Sequence, residues 1–145
     1  DQERAARELL RVLKPGGRIG LASWTAEGLI GDLFRTIARH VPPPAGLRSP
    51  MQWGSEPRLV ELFGPSAGDI RTTRRIYTFR FRSAEHWIEV FRTYYGPVHK
   101  AFAALDATGQ QALHDELRLL LDRRTRGNGS ALLVPSEYLE VVVTK

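Results

Sequence analysis

The chain of 145 residues has no cysteine, one methionine and no apolar run of bilayer-spanning length. Without thiols it has no disulfides, no thiolate nucleophile and no thiolate-bound zinc. A helix that crosses a membrane needs about 20 mostly apolar residues, and no such run or signal-peptide pattern occurs, so the reading predicts a cytoplasmic chain with no membrane partner. Acidic residues are also scarce, 16 against 21 basic ones, for a formal net charge of +5. The excess comes mostly from arginines scattered along every segment, grouped only at Arg74-Arg75, Arg80/Arg82 and Arg123-Arg124. A nucleic-acid surface would cluster them with aromatics, so an arginine-biased solvated surface is expected and no nucleic-acid partner. The four histidines, His40, His86, His99 and His114, lack the i, i+4 pairing of a metal site, and no metal is expected. No Gly-x-Ser-x-Gly elbow offers a hydrolase serine.

What remains is an ordinary globular composition, 42% hydrophobic and 26% charged, in a length that suits a single domain over 1–145. Ala6, Leu9, Leu10 and Leu13 recur at i, i+3, i+4 and i+7, predicting a helix over Asp1 to Leu13. Pro15 forbids its continuation, and Gly16 or Gly17 can supply the left-handed closing residue. Arg18 to Ser23 is a short apolar run suited to a parallel strand covered on both faces. Thr25 is the expected cap of a second helix to about His40, with Leu29, Ile30, Leu33, Phe34, Ile37, Ala38 and Val41 as its stripe. Pro42-Pro43-Pro44 begins an irregular loop to Gly54, and Pro57 opens a short third helix that Gly64 ends.

Arg71 to Arg82 alternates Tyr77, Phe79 and Phe81 against Thr78, Arg80 and Arg82, the pattern of a strand with one aromatic face. Ser83 caps a helix whose stripe is Trp87, Val90, Phe91 and Tyr94, and Gly96-Pro97 breaks it. A short helix through Ala101, Phe102 and Leu105 follows. Asp106 then caps a longer one striped by Leu113, Leu117, Leu120 and Leu121. Gly127-Asn128-Gly129-Ser130 reads as a turn. A last strand runs Leu132 to Val134, is interrupted at Pro135, and resumes from Tyr138 to Lys145.

The passage Leu13-Lys14-Pro15-Gly16-Gly17 into Arg18–Ser23, the helical insertion at 83–126 and the closing strand together resemble class I S-adenosylmethionine-dependent methyltransferases, in the group acting on small molecules. The join resembles the entry to that fold's fifth strand. The resemblance implies an α/β fold: a truncated, three-stranded remnant of a Rossmann-like sheet, in the order first, third, second strand. It also implies that this stretch is the carboxyl half of such an enzyme, with the glycine-rich cofactor loop upstream of Asp1. The cofactor of the complete protein is then S-adenosylmethionine, with none expected for this stretch alone. Gly17-Arg18-Ile19-Gly20 runs into a strand, and Gly64-Pro65-Ser66-Ala67-Gly68 has no phosphate-binding helix after it, so neither replaces that loop.

The partner implied is a small-molecule methyl acceptor. By position in the family, Ser23, Trp24 and Thr25 would floor its site, and Trp53, Trp87, Tyr94 and Tyr95 would wall it, with His99 as the one candidate general base. Core packing is the competing account of Trp87 and Tyr94, which share a stripe with Val90 and Phe91. A noncatalytic ligand-binding or dimerisation module is the alternative function. In it the Arg18–Ser23 strand would hide an unpaired edge through homodimerisation or against a missing amino-terminal half.

Overall fold

A computed structural model describes residues 1–127, 129 and 131–145. The turn expected at 127–130 includes Asn128 and Ser130 and so lies outside the described residues. The elements in chain order are α1 (Gln2–Arg11), β1 (Arg18–Trp24), α2 (Leu29–His40), α3 (Glu56–Phe63), β2 (Asp69–Phe81), α4 (Ala84–Tyr94), α5 (Gly96–Ala103), α6 (Ala107–Arg124) and β3 (Leu132–Thr144). The fold is mixed α/β. Its three strands take the order β1-β3-β2, and β1 pairs antiparallel with β3 from Arg18↔Thr144 to Trp24↔Tyr138. The chain divides into two compact units, one of Asp1–Ala26, Arg48–Ile76 and Glu137–Lys145, the other of Glu27–Leu47 and Tyr77–Ser136.

In the first unit α1 starts on Asp1, whose carboxylate accepts from the Arg4 N–H, as an N-cap should. Gly16 takes the left-handed conformation (φ 75°) that ends the helical segment and turns the chain into β1. Lys145 fastens this corner from the other side, its Nζ donating to the Leu10 and Leu13 carbonyls at 2.8 and 2.9 Å. Both carbonyls lie at the carboxyl end of the α1 segment, where a cation suits the negative pole. Ala6 and Leu10 of α1, Leu59 and Phe63 of α3, Ile19 of β1, and Leu139, Val141 and Val143 of β3 form one buried cluster. Burying each Leu, Ile, Val or Phe contributes about 1.5–3 kcal/mol, and helices α1 and α3 do this on one side of β1. On the other side Arg18, Gly20 and Ala22 are exposed, so β1 is not covered on both faces as its composition suggested. The 42–54 loop is not wholly irregular either. Ser49 accepts from the Met51 N–H and starts a single 3-10 turn, Pro50–Gly54.

In the second unit α2 begins at Leu29 with Gly28 as its N-cap, not Thr25. Gly28 has no side chain to offer the first turn. The buried Ser136 hydroxyl accepts from the Ile30 N–H instead, at 3.4 Å, so the capping group comes from β3. Helices α4 and α6 start where sequence placed them, on Ser83 and Asp106, whose side chains accept from the His86 and Gly109 N–H groups. Leu113, Leu117, Leu120 and Leu121 are all buried along α6, which packs on α2 and α4. Tyr94 is a correction: it is 82% exposed, and Ile88 joins Trp87 and Phe91 on the buried side of α4.

Strand β3 is also a correction, because it runs unbroken through Pro135. Proline lacks an N–H and is tolerated where no ladder bond is required. The β1–β3 register stops at Tyr138, three residues short of Pro135. Along β3 the buried positions are even up to Ser136 and odd from Leu139 onward. One strand therefore turns opposite sets of side chains inward in its two halves.

Candidate functional site

The residues nominated from sequence fall in two groups, one per unit. Ser23, Trp24, Thr25 and Trp53 belong to the first. Ser23 and Trp24 close β1 opposite Leu139 and Tyr138, and the Trp24 ring meets the Tyr138 ring edge-on at 6.0 Å. Thr25 is fully buried; its N–H and its hydroxyl both donate to the Glu137 carbonyl, at 3.2 and 3.4 Å. That double bond to β3 is why Thr25 does not cap α2. Gly54 lets the 3-10 turn lie against this strand end, since a Cβ there would stand 2.1 Å from the Trp24 carbonyl oxygen. Trp53, in the same turn, is half-buried on the core, its ring 6.2 Å from Phe63.

A polar group that the sequence did not reveal stands beside Thr25. Arg74 of β2 donates to Glu137 Oε1 at 2.8 Å, and its Nε lies 3.4 Å from Glu56 Oε1. The two carboxylates push the Arg74 guanidinium further up from its ordinary value, chiefly through the Glu137 hydrogen bond. Alternation along β2 marks Arg74 as outward-facing, but only the strand order shows which acids it faces. The end of β1 thus gathers an indole, a buried hydroxyl and an ordered ion pair on a rigid sheet corner. Such a corner can hold and orient a small molecule, and no nominated base stands in it.

Trp87, Tyr94, Tyr95 and His99 belong to the second unit. Trp87 is fully buried and stacks on Phe91, with ring centroids 3.6 Å apart, so packing uses its face. Tyr95 is half-buried as the residue preceding α5, 5.0 Å from the Phe91 ring, and burial pushes its phenol up. Tyr94 stands in solvent. His99 is exposed, its Nδ1 3.1 Å from the Arg92 carbonyl. It lines a cavity of about 340 Å³ with Arg92, Thr93, Phe102, Ala103 and Gln110. Arg92 lies over the Phe102 ring at 4.6 Å and donates to Gln110 Oε1 at 2.8 Å. This small, partly aromatic recess is where the His99 imidazole meets a ligand-sized space.

The turn from β1 to α2 holds one glycine, the buried Gly28, and the turn from β2 to α4 holds none. Neither provides the open run of backbone N–H groups with which a glycine-rich loop receives a cofactor. Among the described residues, no three histidine or acidic side chains converge on a metal-sized space, and no helix is long and apolar enough to cross a membrane.

No family model matches the chain. Curated relatives do match it. "Uncharacterized protein Rv1403c" of Mycobacterium tuberculosis is 38% identical over 105 residues, covering 71% of this chain and 38% of the relative. "Uncharacterized protein Rv1405c" of the same organism is 36% identical over 110 residues, with the same coverages. "Uncharacterized protein Mb1438c" of Mycobacterium bovis is 38% identical over 105 residues. The match spans 38% of the length of these curated relatives, and their names state no activity.

Proposed function

We propose that this chain is the acceptor-side portion of a class I S-adenosylmethionine-dependent methyltransferase acting on a small molecule. The observation that carries the reading is the sheet: β3, last in sequence, lies between β1 and β2 and runs antiparallel to β1. That is the arrangement the resemblance implied for the closing strand. The helix stop at Gly16 and the three successive helices between β2 and β3 support it. The length of the mycobacterial relatives outside the match leaves room for a donor-binding portion, which the turns of this chain do not supply. In this reading Ser23, Trp24 and Thr25 floor the acceptor site, with Trp53 behind them. The contribution of these residues is placement and exclusion of water; Thr25, fixed by two bonds to β3, gives the corner its rigidity.

The test is a chimera in which this chain replaces the matching segment of the M. tuberculosis relative. Chimera and relative should both transfer a labelled methyl group from S-adenosylmethionine to a low-molecular-mass acceptor in a cell extract, and the isolated chain should not. Absence of labelled product from both longer proteins refutes the proposal.

One observation favours a second reading as a binding module. Strand β1 is at the edge of the sheet, so Arg18–Ser23 has a ladder partner on one side only among the described residues. Pairing of two such edges would give a homodimer. Light scattering that shows a monomer at high concentration contradicts it.

A further inference from the structure

A second cavity in the same unit involves none of the site residues nominated from sequence. It measures about 390 Å³ and is lined by Asp32, Arg35 and Thr36 of α2 and by Leu120, Arg123 and Arg124 of α6. Each set is spaced i, i+3, i+4, so each helix contributes one continuous face. We infer that this groove is a binding site for a small phosphate-bearing molecule.

Three guanidiniums and one carboxylate line it, a net charge of +2. Asp32 accepts from both Arg35 and Arg124, and Arg124 Nη2 also donates to the Glu27 carbonyl at 3.2 Å. The carboxylate thereby fixes two guanidiniums without neutralising the group. Arg123 has no acidic partner among the described residues. Its place in the last turn of α6 beside Arg124 suits a cation, but that pole does not require a further arginine, Arg35, facing it from α2. Thr36, only 4% exposed, accepts from Arg39 Nη2 at 3.3 Å and keeps its own hydroxyl hydrogen to donate. Leu120, 5% exposed, gives an apolar floor.

Two planar guanidiniums held in advance by Asp32, a third beside them, a hydroxyl donor and an apolar base suit a phosphomonoester whose organic part lies on the leucine. The cavity volume falls in the range for a small ligand. A nucleic acid would need the basic surface to continue as a stripe, and on the same two helices Arg39 is paired with Glu116 and Arg118 lies beside Glu85.

The test is an NMR titration of the 145-residue chain with inorganic phosphate and with phenyl phosphate. Saturable shifts confined to α2 and α6 are expected, with phenyl phosphate the tighter ligand. Arg123→Gln should weaken binding about tenfold or more, and Arg11→Gln, on α1, should leave it unchanged. Arg123 is exposed, and unchanged resonances elsewhere will show that the variant is folded. Lack of saturation, shifts centred elsewhere, undiminished binding by Arg123→Gln, or tighter binding of a single-stranded oligonucleotide at physiological ionic strength would overturn the inference. Because no methyl donor enters the experiment, its failure leaves the proposed methyl transfer untouched.

Discussion

Replacing Gly54 by alanine should disrupt the strand end that carries Trp24 and Thr25. A Cβ at residue 54 would lie 2.1 Å from the Trp24 carbonyl oxygen, 2.7 Å from its carbon and 3.0 Å from the Thr25 Cα. All three are backbone atoms, so no side-chain rotation relieves the contact. To reach 3.0 Å from the oxygen, the turn and the strand must part by about 0.9 Å. Overpacking that displaces backbone costs typically about 1–3 kcal/mol, and this contact belongs at the upper end. At about 3 kcal/mol a chain of this size loses about 10 °C in Tm. Gly20 supplies the control, since an added Cβ there meets nothing within 4 Å. Gly20→Ala should be neutral or should stabilise by about 0.5 kcal/mol, through the unfolded chain alone. Thermal unfolding of both variants by circular dichroism, with NMR shifts of the Trp24 and Thr25 amides, reads the difference. A Gly54→Ala protein as stable as Gly20→Ala, with those amides unmoved, refutes the close approach.

Asp106→Ala removes the carboxylate that accepts from the Gly109 N–H at 2.8 Å and should cost about 1 kcal/mol, with Asp106→Asn nearly neutral in thermal unfolding. Trp87→Ala should cost about 3–5 kcal/mol by opening a cavity beside Phe91. Trp87→Phe should cost less than about 1.5 kcal/mol, because the indole N–H has no acceptor among the described residues; equal losses in urea titration contradict this. Glu3 accepts from Arg58 at 2.5 Å and from Arg48, which together hold its carboxyl down from 4.5 to about 2. Its lowered value means the pairing stabilises fully above pH 4.5 and is lost as pH falls through about 2. Glu3→Gln should flatten the pH dependence of unfolding in that window, less so in high salt because the pair is exposed. A profile identical to the parent's counts against the ion pair.

The helices were largely legible because their signals are local. Ser83 and Asp106 sit at N-caps, and the α6 leucines recur at the period that buries them. Failures arose where a distant residue decided the outcome. Thr25 looked like a cap, yet its hydrogen bonds go to Glu137, 112 positions away in sequence, and Ser136 serves α2 instead. Pro135 looked like a strand break, but β3 has no β1 partner there to receive a bond. Tyr94 shares the period of Trp87 and Phe91 but falls at the last residue of α4, where the helix face no longer meets packing. Of the candidate site, the aromatic residues were visible as types. The Arg74–Glu137 pair and the α2–α6 arginine groove were not, because sequence spacing on one element says nothing about which element faces it.

The proposed function puts the acceptor side of a methyltransferase in this chain and its donor site in the remainder of a longer protein. Calorimetric titration of S-adenosylmethionine tests it most directly, with the longer M. tuberculosis relative in one cell and the isolated chain in the other. Saturable binding heat is expected from the relative and none from the isolated chain. Saturable binding by the isolated chain, or none by the relative, would contradict it.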